Sequence, residues 1–181
     1  MEQPRIIARR ETVLSPWVTI VEKEVCFREG DPPQVYHSLT QAPYVAVVAI
    51  TRDRRLPLVR QYRPAVEAFT WEFPAGTVDA GEAPADAARR ELLEEVGLVA
   101  EELHELGTFD PDTGRLSLVS TGYVAICGDT TVARSPEPDL ELQYVTVPEL
   151  FEMLRSGEFR HQLHVALIAS ALVRGHLTLP R

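Results

Sequence analysis

The stretch Gly76–Leu98, GTVDAGEAPADAARRELLEEVGL, decides the fold of this 181-residue chain. Three glutamates, Glu91, Glu94 and Glu95, crowd into five positions, and Glu82 lies upstream in a loop that contains glycine. Pro84 suits a first helical turn, where a missing N–H costs nothing, and Gly97 suits the left-handed residue that ends a helix. The spacing therefore predicts a helix over 84–96. On it the glutamates are three and four positions apart and project to one side. Ala87, Ala88, Leu92 and Val96 recur at helical spacing on a face roughly opposite, which predicts a stripe buried against a sheet. Carboxylates this close repel one another. A hard divalent cation, which takes oxygen ligands, turns that repulsion into a binding site.

The preceding Pro74-Ala75-Gly76 turn extends the pattern. Glycine permits a loop to fold back over the helix start, so that a carbonyl such as that of Ala75 faces the carboxylates. Arg90, eight residues after Glu82, can bridge to it and fix the loop on the helix. The glutamate run alone reads as a solvated charged face; the glycine turn, Glu82 and the Arg90–Leu98 tail together point instead to a metal site. Further out, Tyr44 to Ile50 is a continuous apolar run, as in a strand buried on both faces. A charged turn over 51–55 leads to a returning strand over 56–62 and a short one over 70–73. Strands are predicted near 103–109, 116–126 and 140–147, a short helix from Pro148 to about Arg155, and a last helix over 162–173. Strands interleaved with helices in this way imply an α/β fold, a mixed sheet between helices in an α/β/α sandwich. Residues 1–40 read as a β extension, with strands over 17–27 and 34–38 around a turn at 28–33. So small a hairpin needs support from the main domain, 41–181, or from a second subunit.

Apolar residues make up 45% of the chain and charged residues 25%, a globular and not a disordered composition. The net charge of -9 argues against non-specific duplex nucleic-acid binding, which needs a basic surface. It leaves room for a small anionic substrate held through metal ions. Cys26 and Cys127 fit no zinc or redox spacing and read as free thiols in a reducing compartment. No signal-like segment or membrane span is apparent, so the expected location is cytoplasmic. The histidines make no metal pattern. His161 and His164, three apart on the last helix, are placed to pair with each other or to serve in packing.

Gly76, Glu82 and Arg90-Glu91-Leu92-Leu93-Glu94-Glu95-Val96-Gly97-Leu98 match the Nudix box at every defined position, and the chain resembles the Nudix hydrolases. That resemblance implies a Nudix-type α/β/α sandwich and hydrolysis, with Mg²⁺ or Mn²⁺, of nucleoside diphosphates linked to another moiety. It implies Glu91 and Glu95 as the main metal ligands, Glu94 as a further one, and Ala75 as a carbonyl ligand, with Gly76, Glu82 and Arg90 in support. Outside the box, Arg60-Gln61-Tyr62-Arg63-Pro64 and Trp71-Glu72-Phe73-Pro74-Ala75-Gly76 resemble the branch that cleaves ADP-ribose and nucleoside diphosphate sugars.

The branch implies substrate contacts from Arg63 and Glu72. It also implies a homodimer built through the extension, with Trp17 reaching the partner's site to stack on a base. Plainer readings stand beside these: a surface salt bridge for Arg63, dimer or core packing for Trp17. The segment Phe109–Ser117 keeps a proline, Pro111, but lacks the glutamate that follows it in the branch. The expected substrates therefore widen from ADP-ribose to related diphosphate sugars. The loop 135–141 lies where relatives place a catalytic glutamate, with Glu137 the first candidate and Asp139 and Glu141 behind it. The alternatives are a Nudix hydrolase of nucleoside triphosphates, dinucleoside polyphosphates or capped RNA, and a non-catalytic nucleotide-sugar sensor.

Overall fold

The structure, a computed structural model, describes residues 3–131 and 140–180, without the side chains of 129–131. Glu137 and Asp139 lie outside the described residues. The chain divides into two compact units, 1–43 with 110–119, and 44–109 with 120–181.

In the first unit β1 (Arg5–Ser15), β2 (Val18–Cys26) and β3 (Gln34–Thr40) form an antiparallel sheet in that order. The hairpin expected from the sequence thus carries an additional strand, β1. Its charged centre, Arg9-Arg10-Glu11, breaks the alternation that identifies a strand. Residues 115–117 also belong here, because Leu39 accepts from the Ser117 N–H at 2.8 Å and donates to the Arg115 carbonyl at 2.7 Å. With those backbone groups engaged, the strand expected from Leu116 begins only at Ser120.

The second unit contains β4 (Tyr44–Ile50), β5 (Leu56–Arg63), β6 (Ala68–Glu72), β7 (Ala75–Thr77), α1 (Pro84–Val96), β8 (Leu98–Phe109), β9 (Ser120–Thr131), β10 (Glu141–Val145), α2 (Val147–Ser156) and α3 (Gln162–Val173). One sheet runs β7-β4-β9-β8 and a second β10-β5-β6. The β4–β9 pairing is parallel and the others are antiparallel, so the larger sheet is mixed.

The alternation along β4 explains its unbroken apolar sequence. Val45, Val47 and Ala49 pack with Ala87, Ala88, Leu92 and Val96 of α1. Ala46, Val48 and Ile50 join the cluster that holds Leu150 and Met153 of α2 and Leu167 and Ile168 of α3. Successive side chains on a strand point to opposite faces, and here each face meets a helix layer, which is the expected sandwich. The short strand β7 forms where the sequence signals only a break, with Ala75 opposite Ala46 and Gly76 opposite Val45.

Helix α1 has the predicted bounds, and Gly97 caps it at φ 75° with its N–H on the Leu93 carbonyl. The placement of its glutamates needs correction. Glu95 is only 6% exposed and belongs to the buried face with Ala87, Ala88, Leu92 and Val96. At 3.6 residues per turn, Glu91 and Glu95 fall between Ala87 and Leu92 around the helix, beside the apolar stripe and not opposite it. Leu92 is fully buried in that stripe. Replacing it with alanine should cost roughly 2–5 kcal/mol, read as a lowered midpoint in urea with an unchanged slope.

Candidate active site

The site begins at the connection between β6 and β7. The Pro74 carbonyl accepts the Val47 N–H at 2.9 Å, which ties the turn to the central strand. The Ala75 N–H donates to Glu95 Oε2 at 2.9 Å. A Cβ at Gly76 would lie 2.0 Å from Glu91 Oε1, so glycine lets β7 pass this carboxylate without displacing it. Two side chains of α1 therefore meet the backbone of 75–76. Glu94, with its side chain 47% exposed, stands further out.

Arg90 organises the remaining acids. Its Nε and Nη2 donate to the two oxygens of Glu82, each at 2.9 Å, and Nη2 also reaches the Thr77 carbonyl at 2.9 Å. Its Nη1 donates to Glu91 Oε1 at 2.7 Å and Glu94 Oε2 at 3.3 Å. Glu82 also accepts the Asp79 N–H at 3.0 Å. The Arg90 hydrogen bond first, and the Asp79 N–H second, pull the Glu82 carboxyl down to about 2. The bridge expected between Arg90 and Glu82 is thus formed and holds the loop before α1 on the helix.

This donor set suits a hard divalent cation. Its groups are carboxylate oxygens from Glu91 and Glu95, packed against a stretch of backbone that a single Cβ would obstruct. The Ala75 N–H to Glu95 adds a contact that the sequence reading, which assigned only the Ala75 carbonyl, did not anticipate.

A second cluster surrounds Glu72, which is fully buried. Arg63 grips it with both prongs, Nε to Oε1 at 2.8 Å and Nη2 to Oε2 at 2.6 Å, and Thr70 donates to Oε1 at 2.5 Å. Burial alone would raise the Glu72 carboxyl. The hydrogen bonds from Arg63 and Thr70 outweigh it and hold the group below the usual range. Arg63 is therefore not in the surface salt bridge offered as its plainer reading: its partner is buried. Its own side chain, 36% exposed, lines a cavity of about 490 Å³ with Glu72, Arg160 and His161.

Among the described residues, one group of three has metal-capable atoms within 4.8 Å of one another: Glu72, His161 and His164. The rings of His161 and His164 lie 4.1 Å apart. The fully buried His164 accepts the Phe73 N–H at Nδ1, at 2.9 Å. A neutral imidazole that accepts at Nδ1 carries its proton on Nε2 and has no lone pair left for a metal. Burial, then the charge of His161, pushes His164 down to about 3, which keeps it neutral. With Glu72 already engaged by Arg63 and Thr70, this triad does not suit a cation.

Three residues of these clusters escaped the sequence reading. Thr70 supports Glu72, and His164 reads from sequence as packing. Tyr44 opens β4, and its hydroxyl is raised far above the ordinary range by burial and then by Glu72, with Glu95 and Glu91 adding to the effect. No sequence signal separates Tyr44 from a core aromatic. Trp17 lies at the turn between β1 and β2, 73% exposed, in the other compact unit. Glu141 opens β10 and pairs with Arg60 at 2.9 Å.

Residues 40–165 match the model of the NUDIX domain. The chain is 32% identical over 172 residues to the ADP compounds hydrolase NudE of Escherichia coli, covering 93% of this chain and 91% of that one. It is 32% identical over 163 residues to an ADP-ribose pyrophosphatase of Mycobacterium tuberculosis, covering 87% and 72%. A solved structure described as an ADP compounds hydrolase superposes with a TM-score of 0.81 at 25% identity, over 98% of this chain and 95% of the other.

Two outcomes follow from the geometry. Gly76→Ala should displace the Glu91 carboxylate and abolish divalent-ion binding, measured by calorimetry, while the circular dichroism spectrum stays native. Arg63→Ala should leave the buried Glu72 carboxylate unpaired and cost about 3 kcal/mol at neutral pH. In the native chain the depressed Glu72 stabilises the fold above its unfolded-state pKa, and that contribution is lost as pH falls. Without Arg63, burial raises the same group, so the deficit in urea unfolding should shrink as acid protonates Glu72.

Proposed function

The chain belongs to the NUDIX family, and from that premise we propose that it hydrolyses the diphosphate bond of ADP-ribose or a related nucleoside diphosphate sugar. The products are a nucleoside monophosphate and a sugar phosphate. The observation that carries this reading is the contact of two α1 carboxylates, Glu91 and Glu95, with the Ala75–Gly76 backbone. Two relatives aligned over most of the chain are named for ADP-ribose or ADP compounds and direct the reading toward this substrate class.

In this reading Glu91 and Glu95 hold Mg²⁺, or Mn²⁺ in its place, with the Ala75 carbonyl and with Glu94 as a further ligand. A bound divalent ion supplies charge neutralisation to the diphosphate oxygens and lowers the pKa of a bound water. Arg90 and Glu82 keep the preceding loop on the helix, so the carboxylates are arranged before substrate arrives. Arg63 lines the cavity and orients the diphosphate or the terminal sugar, while Glu72, holding Nε and Nη2, fixes the plane of the guanidinium. Glu137 takes the proton from the attacking water, with Asp139 and Glu141 as the other candidates.

Residues 1–40 serve as a dimerisation extension of the 41–181 hydrolase domain, and Trp17 stacks on the substrate base in the partner's site. Ile6, Ile7, Val13 and Leu14 are each more than half exposed in the first unit, an apolar surface of the sort an interface covers. Among the described residues no helix is long and apolar enough to cross a membrane. The proposed setting is a cytoplasmic homodimer.

The test is a panel of nucleoside diphosphate compounds with Mg²⁺ and Mn²⁺, with products identified by mass. AMP and ribose 5-phosphate should appear from ADP-ribose, and chelation should stop the reaction. Activity confined to nucleoside triphosphates would overturn the substrate assignment. Glu95→Gln should lower kcat by more than about 100-fold, beyond the usual effect of removing an outer partner of a metal ligand. Full activity in that variant would remove Glu95 from the metal set.

A further inference from the structure

The link between β6 and β7 is only two residues long, Phe73 and Pro74. Pro74 has no N–H to offer. The two flanking N–H groups are both taken by helix side chains: Phe73 donates to His164 Nδ1 at 2.9 Å and Ala75 donates to Glu95 Oε2 at 2.9 Å. These acceptors come from opposite layers of the sandwich. Glu95 lies on α1, packed on one face of β4, and His164 lies on α3, packed on the other. The connection is clamped from both sides.

The His164 side of the clamp is well defined. The residue is fully buried, and its ring stacks on Phe73 at 5.9 Å with an interplanar angle of 26°. Phe159 lies 5.2 Å from Phe73 and supports the same ring. Among the described residues Nε2 has no hydrogen-bond partner, so the bond from the Phe73 N–H is the one that orients the imidazole. The Nδ1 bond and the stacking on Phe73 together tie the imidazole to the chain at residue 73.

We propose that His164 is a positioning residue for the metal centre: by accepting the Phe73 N–H at Nδ1 it sets the backbone of 73–76 and so the placement of Ala75 and Gly76 against Glu95 and Glu91. This rests on the functional reading above for the identity of the centre, though its test does not require substrate. His164→Leu removes the acceptor and leaves a buried N–H unsatisfied. His164→Asn keeps an acceptor oxygen close to the position of Nδ1.

Mn²⁺ affinity, measured by electron paramagnetic resonance, should fall about 10–100-fold in the leucine variant and return to within a few-fold of native in the asparagine variant. kcat should follow the same order, with a smaller change in the KM for substrate. Native Mn²⁺ affinity in His164→Leu, or an asparagine variant as impaired as the leucine one, would overturn the proposal. A nitrogen-15 spectrum of the unaltered protein provides a test independent of variant folding. His164 should appear as the Nε2–H tautomer, and an Nδ1–H signal would refute the arrangement. If the unaltered protein bound Mn²⁺ normally but cleaved no diphosphate sugar, the substrate reading would fail while the variant affinities would still decide the role of His164.

Discussion

The bond from the Ala75 N–H to the Glu95 carboxylate is the constraint around which the hydrolase domain is arranged. A carboxylate at 6% exposure is costly to hold charged unless it gains directed donors. A backbone N–H supplies a strong charge-assisted bond only if helix and strand come unusually close. Small residues on both sides make that approach possible: Ala87 and Ala88 on the helix, Gly76 on the strand. The apolar packing of α1 on β4 and the placement of its acids are thus one geometric problem with one solution.

Two arginines then manage the charge. Arg90 spreads its donors over Glu82, Glu91 and Glu94, which relieves the repulsion that three neighbouring glutamates impose on a helix. Arg63 commits both prongs to Glu72, a fully buried acid. The first arrangement holds a loop and a set of carboxylate oxygens in place. The second holds a cation at the wall of a cavity. A chain with net charge -9 therefore presents an organised, mixed-charge centre to an anionic substrate.

Much of this was legible from residue order. Pro84, Gly97 and the apolar spacing between them fixed α1 to the residue, and the unbroken run 44–50 announced a strand covered on both faces. Helical spacing alone puts the apolar stripe roughly opposite the glutamates, whereas Glu95 belongs to the buried face. Spacing could not show that β7 would offer an N–H there. It showed only a break at Pro74–Gly76, since three residues carry no periodicity. β1 was hidden by its charged centre. His164 and Tyr44 were invisible for a deeper reason: each is defined by a partner far away in the chain, and nothing near either residue encodes that partner.

The parallel ladder between β4 and β9 has a consequence for how the molecule comes into being. β4 lies beside β9, with Tyr44 opposite Ser120, so the central strand waits for a neighbour made much later in synthesis. α1 leaves the ribosome between them, and its apolar stripe shares one buried cluster with Tyr123, Ala125 and Cys127 of β9 as well as with β4. Closing so long a loop must precede the rewards of burial, which places this step among the slow ones. The acids of α1 are thus synthesised early but gain their full backing late. A nascent chain halted before residue 120 would carry the whole signature motif without the platform that makes it a site.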